Sequence, residues 1–326
     1  MKTKGNLLLF TILCATPAFS QVIDLTGNWK FHIDDQASWS SPTFDDSHWE
    51  SIHAPSPWEE QGFNGYDGFA WYRKKFDGRV LDSKTNYYLA LGFIDDVDEV
   101  YVNGRLIGFS GSMPPRFKTA FNNERKYSLP VDLINFHGEN TIAIRVFDIT
   151  QRGGIIDGDL GVFRSREDNF LLVDLQGVWS FALSSSSDEM ARPRENAWKK
   201  IMVPGAWEYN GYTKYDGFAW YKRTFTIPLN HSGEPLVLVL GKIDDFDKVY
   251  VNSQPIGSTN DHRPYGNSHS FEELRAYKIP PGVLKKIGAN TVEVFVEDMG
   301  NFGGIYEGPV GVATKANLEK YLANNQ

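Results

Sequence analysis

The sequence predicts an all-β protein made of two tandem antiparallel β-sandwiches. Three observations carry that prediction. First, the chain repeats itself once: Tyr66-Asp67-Gly68-Phe69-Ala70-Trp71-Tyr72 recurs letter for letter at Tyr215 to Tyr221, 149 residues on. The same step pairs Trp58-Glu59 with Trp207-Glu208, Ile94-Asp95-Asp96 with Ile243-Asp244-Asp245, and Tyr101-Val102-Asn103 with Tyr250-Val251-Asn252. A repeat of this length is domain-sized, so each copy should own a core. Second, 14% aromatic residues with 30 Gly and 16 Pro suit many short strands joined by tight turns. Third, apolar runs are short and long helical periodicity is absent. At 41% hydrophobic and 23% charged, the composition excludes a disordered chain.

Taken in order, residues 1–20 read as a secretory signal peptide. Lys2 and Lys4 open it, Leu7 to Ala15 is apolar, and Ala18-Phe19-Ser20 offers a small-residue cleavage site before Gln21. The run is too short to span a bilayer, and Leu13 before Cys14 fits a lipoprotein box poorly. Cys14 is the one cysteine, so the exported chain would have neither disulfide nor thiol chemistry. Removing Lys2 and Lys4 leaves 31 basic against 41 acidic residues, a net charge of −10. That balance lacks the basic footprint a nucleic-acid binder needs. No later segment is apolar enough to span a membrane. The expected location is the periplasm or the cell exterior.

The first jelly roll is expected over 21–168. Leu89-Ala90-Leu91 and Thr141 to Val146 read as strands, and Val100-Tyr101-Val102 runs into the hairpin dipeptide Asn103-Gly104. The second is expected over 169–316, with Val237 to Leu240 and Thr291 to Val296 as the matching strands. The boundary lies in the charged stretch Arg164 to Asn169. In the tail, 317–326, the residues Ala316 to Ala323 look helical.

Phe44-Asp45-Asp46-Ser47-His48-Trp49, Pro57-Trp58-Glu59, Ala70-Trp71-Tyr72-Arg73-Lys74 and Val100-Tyr101-Val102-Asn103-Gly104 resemble the sugar-binding domain of family-two glycoside hydrolases. This is the galactose-binding-like jelly roll of β-galactosidases and β-glucuronidases. Ile94-Asp95-Asp96-Val97-Asp98 and Gly153-Gly154-Ile155 look more like the jelly roll of sialate O-acetylesterases. The second copy repeats the set with Trp198, Pro204, Trp207-Glu208, Trp220-Tyr221-Lys222-Arg223 and Gly303-Gly304-Ile305. The resemblance implies fold more than ligand. Two jelly rolls leave no room for the catalytic barrel of those hydrolases. Asn123-Glu124 matches its acid/base dipeptide only by chance, and the esterase Gly-Asp-Ser setting is missing. No catalytic residue is therefore expected.

A sugar presents C–H faces to aromatic rings and hydroxyls to carboxylates. That chemistry nominates Trp58, Glu59, Tyr66, Asp67, Trp71, Arg73 and Arg152 in the first copy, and Trp207, Glu208, Tyr215, Asp216 and Trp220 in the second. Against it, Asp-Gly makes turns and aromatics fill sandwich cores. Alternation places Asp67, Phe69, Trp71 and Arg73 on one face and Ala70, Tyr72, Lys74 and Phe76 on the other. The acidic runs Asp95, Asp96, Asp98 and Asp244, Asp245, Asp247 admit calcium, an ion pair with Lys74 or Arg223, or a solvated bend. Adjacent aspartates on a strand should point to opposite faces, poor geometry for flanking one glycosidic bond. The glycine-rich loops Asp148 to Asp159 and Asp298 to Pro309 either bind ligand or close the jelly roll. The histidines lack zinc spacing.

The expected function is an exported, non-catalytic carbohydrate-binding protein accessory to glycan degradation. Its partners would be an oligosaccharide or polysaccharide and a secreted glycoside hydrolase, with no cofactor unless structural calcium. The alternatives are a β-galactosidase-like hydrolase or an esterase with an unrecognised site, such as the interface between the copies, and a structural module docked on a separate hydrolase chain.

Overall fold

The computed structural model describes residues 21–115, 117–165, 170–231, 233–260, 269–300 and 302–324. The signal peptide expected over 1–20 and most of the boundary stretch, including residue 168, lie outside the described residues. Among the described residues the first copy has ten strands: β1 Gln21–Asp24, β2 Gly27–Ile33, β3 Glu50–Ala54, β4 Gly68–Asp77, β5 Tyr87–Asp95, β6 Val97–Val102, β7 Arg105–Ser110, β8 Glu124–Leu129, β9 Glu139–Asp148 and β10 Gly154–Arg164. The described residues of the second copy form ten in the same order: β11 Leu171–Asp174, β12 Gly177–Ser184, β13 Lys199–Val203, β14 Gly217–Phe225, β15 Leu236–Asp244, β16 Phe246–Val251, β17 Gln254–Thr259, β18 Leu274–Lys278, β19 Asn290–Asp298 and β20 Gly304–Thr314. The α-helix α1 Lys315–Asn324 follows.

Each copy packs a four-stranded sheet on a six-stranded one. The orders are β1-β10-β5-β8 on β3-β2-β4-β9-β6-β7, and β11-β20-β15-β18 on β13-β12-β14-β19-β16-β17. Neighbouring strands run antiparallel, for example Tyr72 opposite Ile144 and Tyr221 opposite Val294. The tandem sandwich read from the repeat is the fold observed. Asn103-Gly104 makes the expected hairpin turn, both residues at positive φ (49° and 81°), and Asn252-Ser253 does the same at 50° and 64°.

Alternation on β4 is as the sequence predicts. Ala70, Tyr72 and Phe76 enter the core between the sheets with Trp29, Phe31 and Ile144. Trp71 and Arg73 point outward, yet are buried beneath the segment carrying Trp39 and Trp49. A separate core around Trp179, Phe181 and Tyr221 fills the second sandwich. α1 sets Leu318 against Leu171, Val237, Val239 and Ala313, and Tyr321 stacks on Phe170.

The acidic runs sit where the chain crosses from one sheet to the other. β5 ends at Asp95 and β6 begins at Val97, and the intervening peptide bond is cis, as it is at Asp244-Asp245. Asp98 is fully buried and does not pair with Lys74. Its partner is Arg125 on β8, whose Nε donates to Asp98 Oδ1 at 2.6 Å, while Tyr127 Oη donates to Oδ2 at 2.5 Å. Arg125 Nη1 donates to Ala120 O at 2.6 Å and to Asn123 O, and Nη2 to Ile94 O at 2.7 Å and Asp96 O at 3.0 Å. All five guanidinium protons are thus used. Arg275 repeats this with Asp247, Tyr277 and four backbone carbonyls. The expected ion pairs to Lys74 and Arg223 are therefore corrected. Those side chains donate to backbone carbonyls instead, Lys74 to Thr26 and Asn28 and Arg223 to Val178.

The copies touch through Ser128, which donates to Asp174, and through Lys118, which donates to the Glu208 carbonyl. Removing one partner of a buried pair strands the other charge. Asp98→Ala should cost about 3–5 kcal/mol in chemical denaturation, whereas Arg105→Ala, breaking an exposed pair with Asp132, should cost at most about 1 kcal/mol.

Candidate functional site

The acids of each copy converge at one end of its sandwich. Asp95 and Asp96 come from the β5–β6 crossing and Asp148 from the last residue of β9. One carboxylate oxygen from each lies within 4.8 Å of the others, and Asp244, Asp245 and Asp298 form the twin. The neighbouring aspartates do not point to opposite faces, because Asp96 lies between strands, where alternation does not hold. Asp96 is held by Thr119 Oγ1 and by the Ile149 amide at 3.3 Å; Asp245 accepts from the Met299 amide at 3.0 Å. Asp148 is wholly buried, and neither of its oxygens has a hydrogen bond of ordinary geometry. Asp298 accepts from the Gly300 amide through Oδ1 at 2.9 Å, leaving Oδ2 buried and unpartnered.

Burial, then the charges of Asp95, Asp96 and Asp67, push Asp148 up to about 7, partly opposed by the Thr150 amide. Burial and the nearby Asp216, Asp245 and Glu208 push Asp298 up to about 6 against the Gly300 amide. Asp95 and Asp244 are raised in the same way, first by burial and then by the adjacent aspartate. The run-based calcium set is corrected in one member per copy. Asp98 and Asp247 are spent on arginines, and Asp148 and Asp298 take their places. Sequence reasoning saw these two only as the starts of glycine-rich loops; their matched positions in the two copies were the signal available.

The nominated sugar residues divide sharply. Trp58 and Trp207 are fully buried, each donating its indole N–H to a backbone carbonyl, Tyr66 O at 3.2 Å and Tyr215 O at 3.0 Å. They have no ring face to offer a sugar. The short turns carrying them read as loops, but Gly153 and Gly303 cover them. A Cβ on Gly153 would stand 2.1 Å from Trp58 Cζ2, and one on Gly303 would stand 2.0 Å from Trp207. Trp71 donates to Asp35 at 3.0 Å and stacks on Tyr101, and Trp220 lies under the Arg192 guanidinium at 3.9 Å, so these faces are also taken. Arg73 is buried and bound to Asp46 at 2.8 Å and to Trp39 O. Tyr66 and Tyr215 spend their hydroxyls on Phe69 O and Phe218 O. Glu59 and Glu208 accept from the Gly153 and Gly303 amides at 3.1 Å, fastening the glycine loops over the tryptophans. Arg152 is exposed and pairs with Glu60 at 3.5 Å. Asp67 and Asp216 are exposed beside the acidic triads.

Two places bear on the hydrolase alternative, the cleft between the copies and the acidic triads. The cleft of about 290 Å³ between the copies is lined by Arg105, Lys200, Lys222 and Arg223 with apolar and hydroxyl groups, and by no carboxylate. Within each triad the third acid is inaccessible, so a glycosidic bond cannot lie between the carboxylates. Glu124 of the Asn-Glu dipeptide pairs with Lys126 on the surface at 2.8 Å. Among the described residues, no helix is long and apolar enough to cross a membrane.

The profile of the β-galactosidase second all-beta domain matches residues 33–151 and 189–302, most of the chain. The chain belongs to that family. A β-galactosidase of Priestia megaterium is 24% identical over 201 residues, which is 50% of this chain and 18% of that protein. A Bacteroides ovatus β-galactosidase is 23% identical over 154 residues, 44% of this chain and 17% of that protein. This second all-beta domain protein thus matches under a fifth of the length of those curated relatives. Among solved structures, a Bacteroides uniformis β-glucuronidase covers 86% of the chain at 14% identity and a TM-score of 0.37, the match being 27% of that enzyme. Within the family's fold, the two tryptophans are core. Trp58→Ala should lower unfolding free energy by about 3–5 kcal/mol, and Gly153→Ala, which crowds the same ring, by about 1–3 kcal/mol. Both are read from denaturant midpoints.

Proposed function

We propose that this protein is an exported, non-catalytic carbohydrate-binding accessory of glycan degradation, and that each copy binds its glycan at the acidic end. The observation that carries this reading is the pairing of an exposed aspartate, Asp67 or Asp216, with a cluster of under-bonded carboxylates at the same end of both sandwiches. Carboxylates accept hydroxyl hydrogen bonds, and charge-assisted ones are the stronger kind. The β-galactosidase relatives support a glycan as ligand class. The tryptophans contribute by holding the loops rather than by stacking. Two weak linked sites would gain avidity on a polymer. Calcium enters this reading as a structural ion of the acidic end. Docking on a separate hydrolase chain is the second reading, favoured because the relatives carry the matched part within a much longer protein.

On a glycan array, the chain lacking residues 1–20 should bind a restricted set of oligosaccharides. Asp67→Asn with Asp216→Asn should weaken the best of them about tenfold, or ~1.4 kcal/mol, with an unchanged thermal midpoint. Aryl glycosides and aryl acetates should stay unhydrolysed. A rate abolished by one carboxylate substitution would favour the hydrolase reading, and stable association with a secreted hydrolase without glycan binding would favour docking.

A further inference from the structure

We propose that Asp95, Asp96 and Asp148 ligate one divalent, oxygen-seeking cation of the calcium class, and that Asp244, Asp245 and Asp298 ligate a second. The inference depends on the proposed function only for the place of the ion, and it is tested without glycan.

The geometry is the first support. Oxygens bound to calcium lie about 2.3–2.6 Å from it, so two ligands of one ion are at most about 4.6–5.2 Å apart. The three oxygens in each cluster meet that limit at 4.8 Å. The second support is Asp148. A buried carboxylate without full partners is costly; apart from the pull of the Thr150 amide, neither oxygen of this one has a hydrogen bond of ordinary geometry, and the residue has no exposed surface. Asp298 repeats it through Oδ2. The local cations are already committed. Arg125 and Arg275 use every donor on Asp98, Asp247 and backbone carbonyls. Among the described residues, no lysine, arginine or histidine forms an ion pair with any of the six acids. An oxygen-ligated cation supplies the missing charge and the missing partner together. The half-buried Asp95 and Asp244 leave one side open for water ligands. Clustered carboxylates at an irregular strand crossing suit calcium's flexible coordination better than magnesium's strict octahedron.

The test is calorimetric titration of the chelator-treated protein with calcium chloride alone. Two equivalents are expected per chain, with a higher thermal midpoint in calcium and at least tenfold weaker binding of magnesium. Asp148→Asn should leave one equivalent, and Asp148→Asn with Asp298→Asn should leave none. If the buried substitutions unfold the chain, Asp95→Asn and Asp244→Asn, at half-exposed positions, make the same test. Absence of calcium binding at millimolar concentration, two equivalents retained in the double variant, or equal affinity for magnesium would each overturn the proposal. Glycan binding retained in a chain that takes no calcium would leave the proposed function standing and sink this inference alone. Calcium bound without any glycan affinity would do the reverse.

Discussion

A buried guanidinium governs each sandwich. Arg125 reaches from the four-stranded sheet into the space between the sheets and binds Asp98 on the six-stranded one. Its remaining protons fix the carbonyls on both sides of the crossing, Ile94 and Asp96. Ion pairs of this kind seldom raise net stability, because desolvation offsets the attraction. What they do impose is geometry. With the carbonyls of residues 94 and 96 drawn toward Arg125, the path of the Asp95-Asp96 segment is set, and its side chains meet Asp148 at the end of β9. The acidic end of each copy is therefore a by-product of how the two sheets are tied together, and Arg275 enforces the same result in the second copy.

Much of the fold was legible because duplication and period-two patterning are local signals. Alternation along β4 separated Tyr72 from Trp71 onto opposite faces from the sequence alone. It did not show that Trp71 and Arg73 are roofed over by the Trp39–Trp49 segment, which turns a nominal outer face into a second small core. For Trp58 the sequence leaves a sugar platform and core packing both open, for a related reason. A tryptophan after a proline in a short turn reads as part of a loop, and its burial depends on the approach of Gly153, far along the chain.

The site was less legible than the fold because its members belong to different sheets and different turns. Arg125 and Asp98 are 27 residues apart, and no short motif joins them. Asp148 closes a strand whose apolar residues drew attention away from its end. The repeat itself held the missing clue, since Arg125, Tyr127 and Asp148 recur as Arg275, Tyr277 and Asp298. Arg125 and Arg275 each hold an aspartate and four backbone carbonyls, so the loss of either would strand several partners at once. By contrast, Arg73 with Asp46 has become Lys222 over the Trp198 ring, a swap the outer layer absorbs.

The contact between the copies has its own consequence. Lys118 of the first copy donates to the backbone of Glu208, the residue whose carboxylate fastens the glycine loop of the second acidic end. Ser128 likewise meets Asp174 at the start of the second sandwich. These are unlike surfaces meeting head to tail, not a two-fold pairing of equals. Halves that share their fold and their acidic end lose their equivalence when joined in this way. The second end is braced from outside by its neighbour through Lys118, so the tandem has a polarity that its repeated sequence does not show.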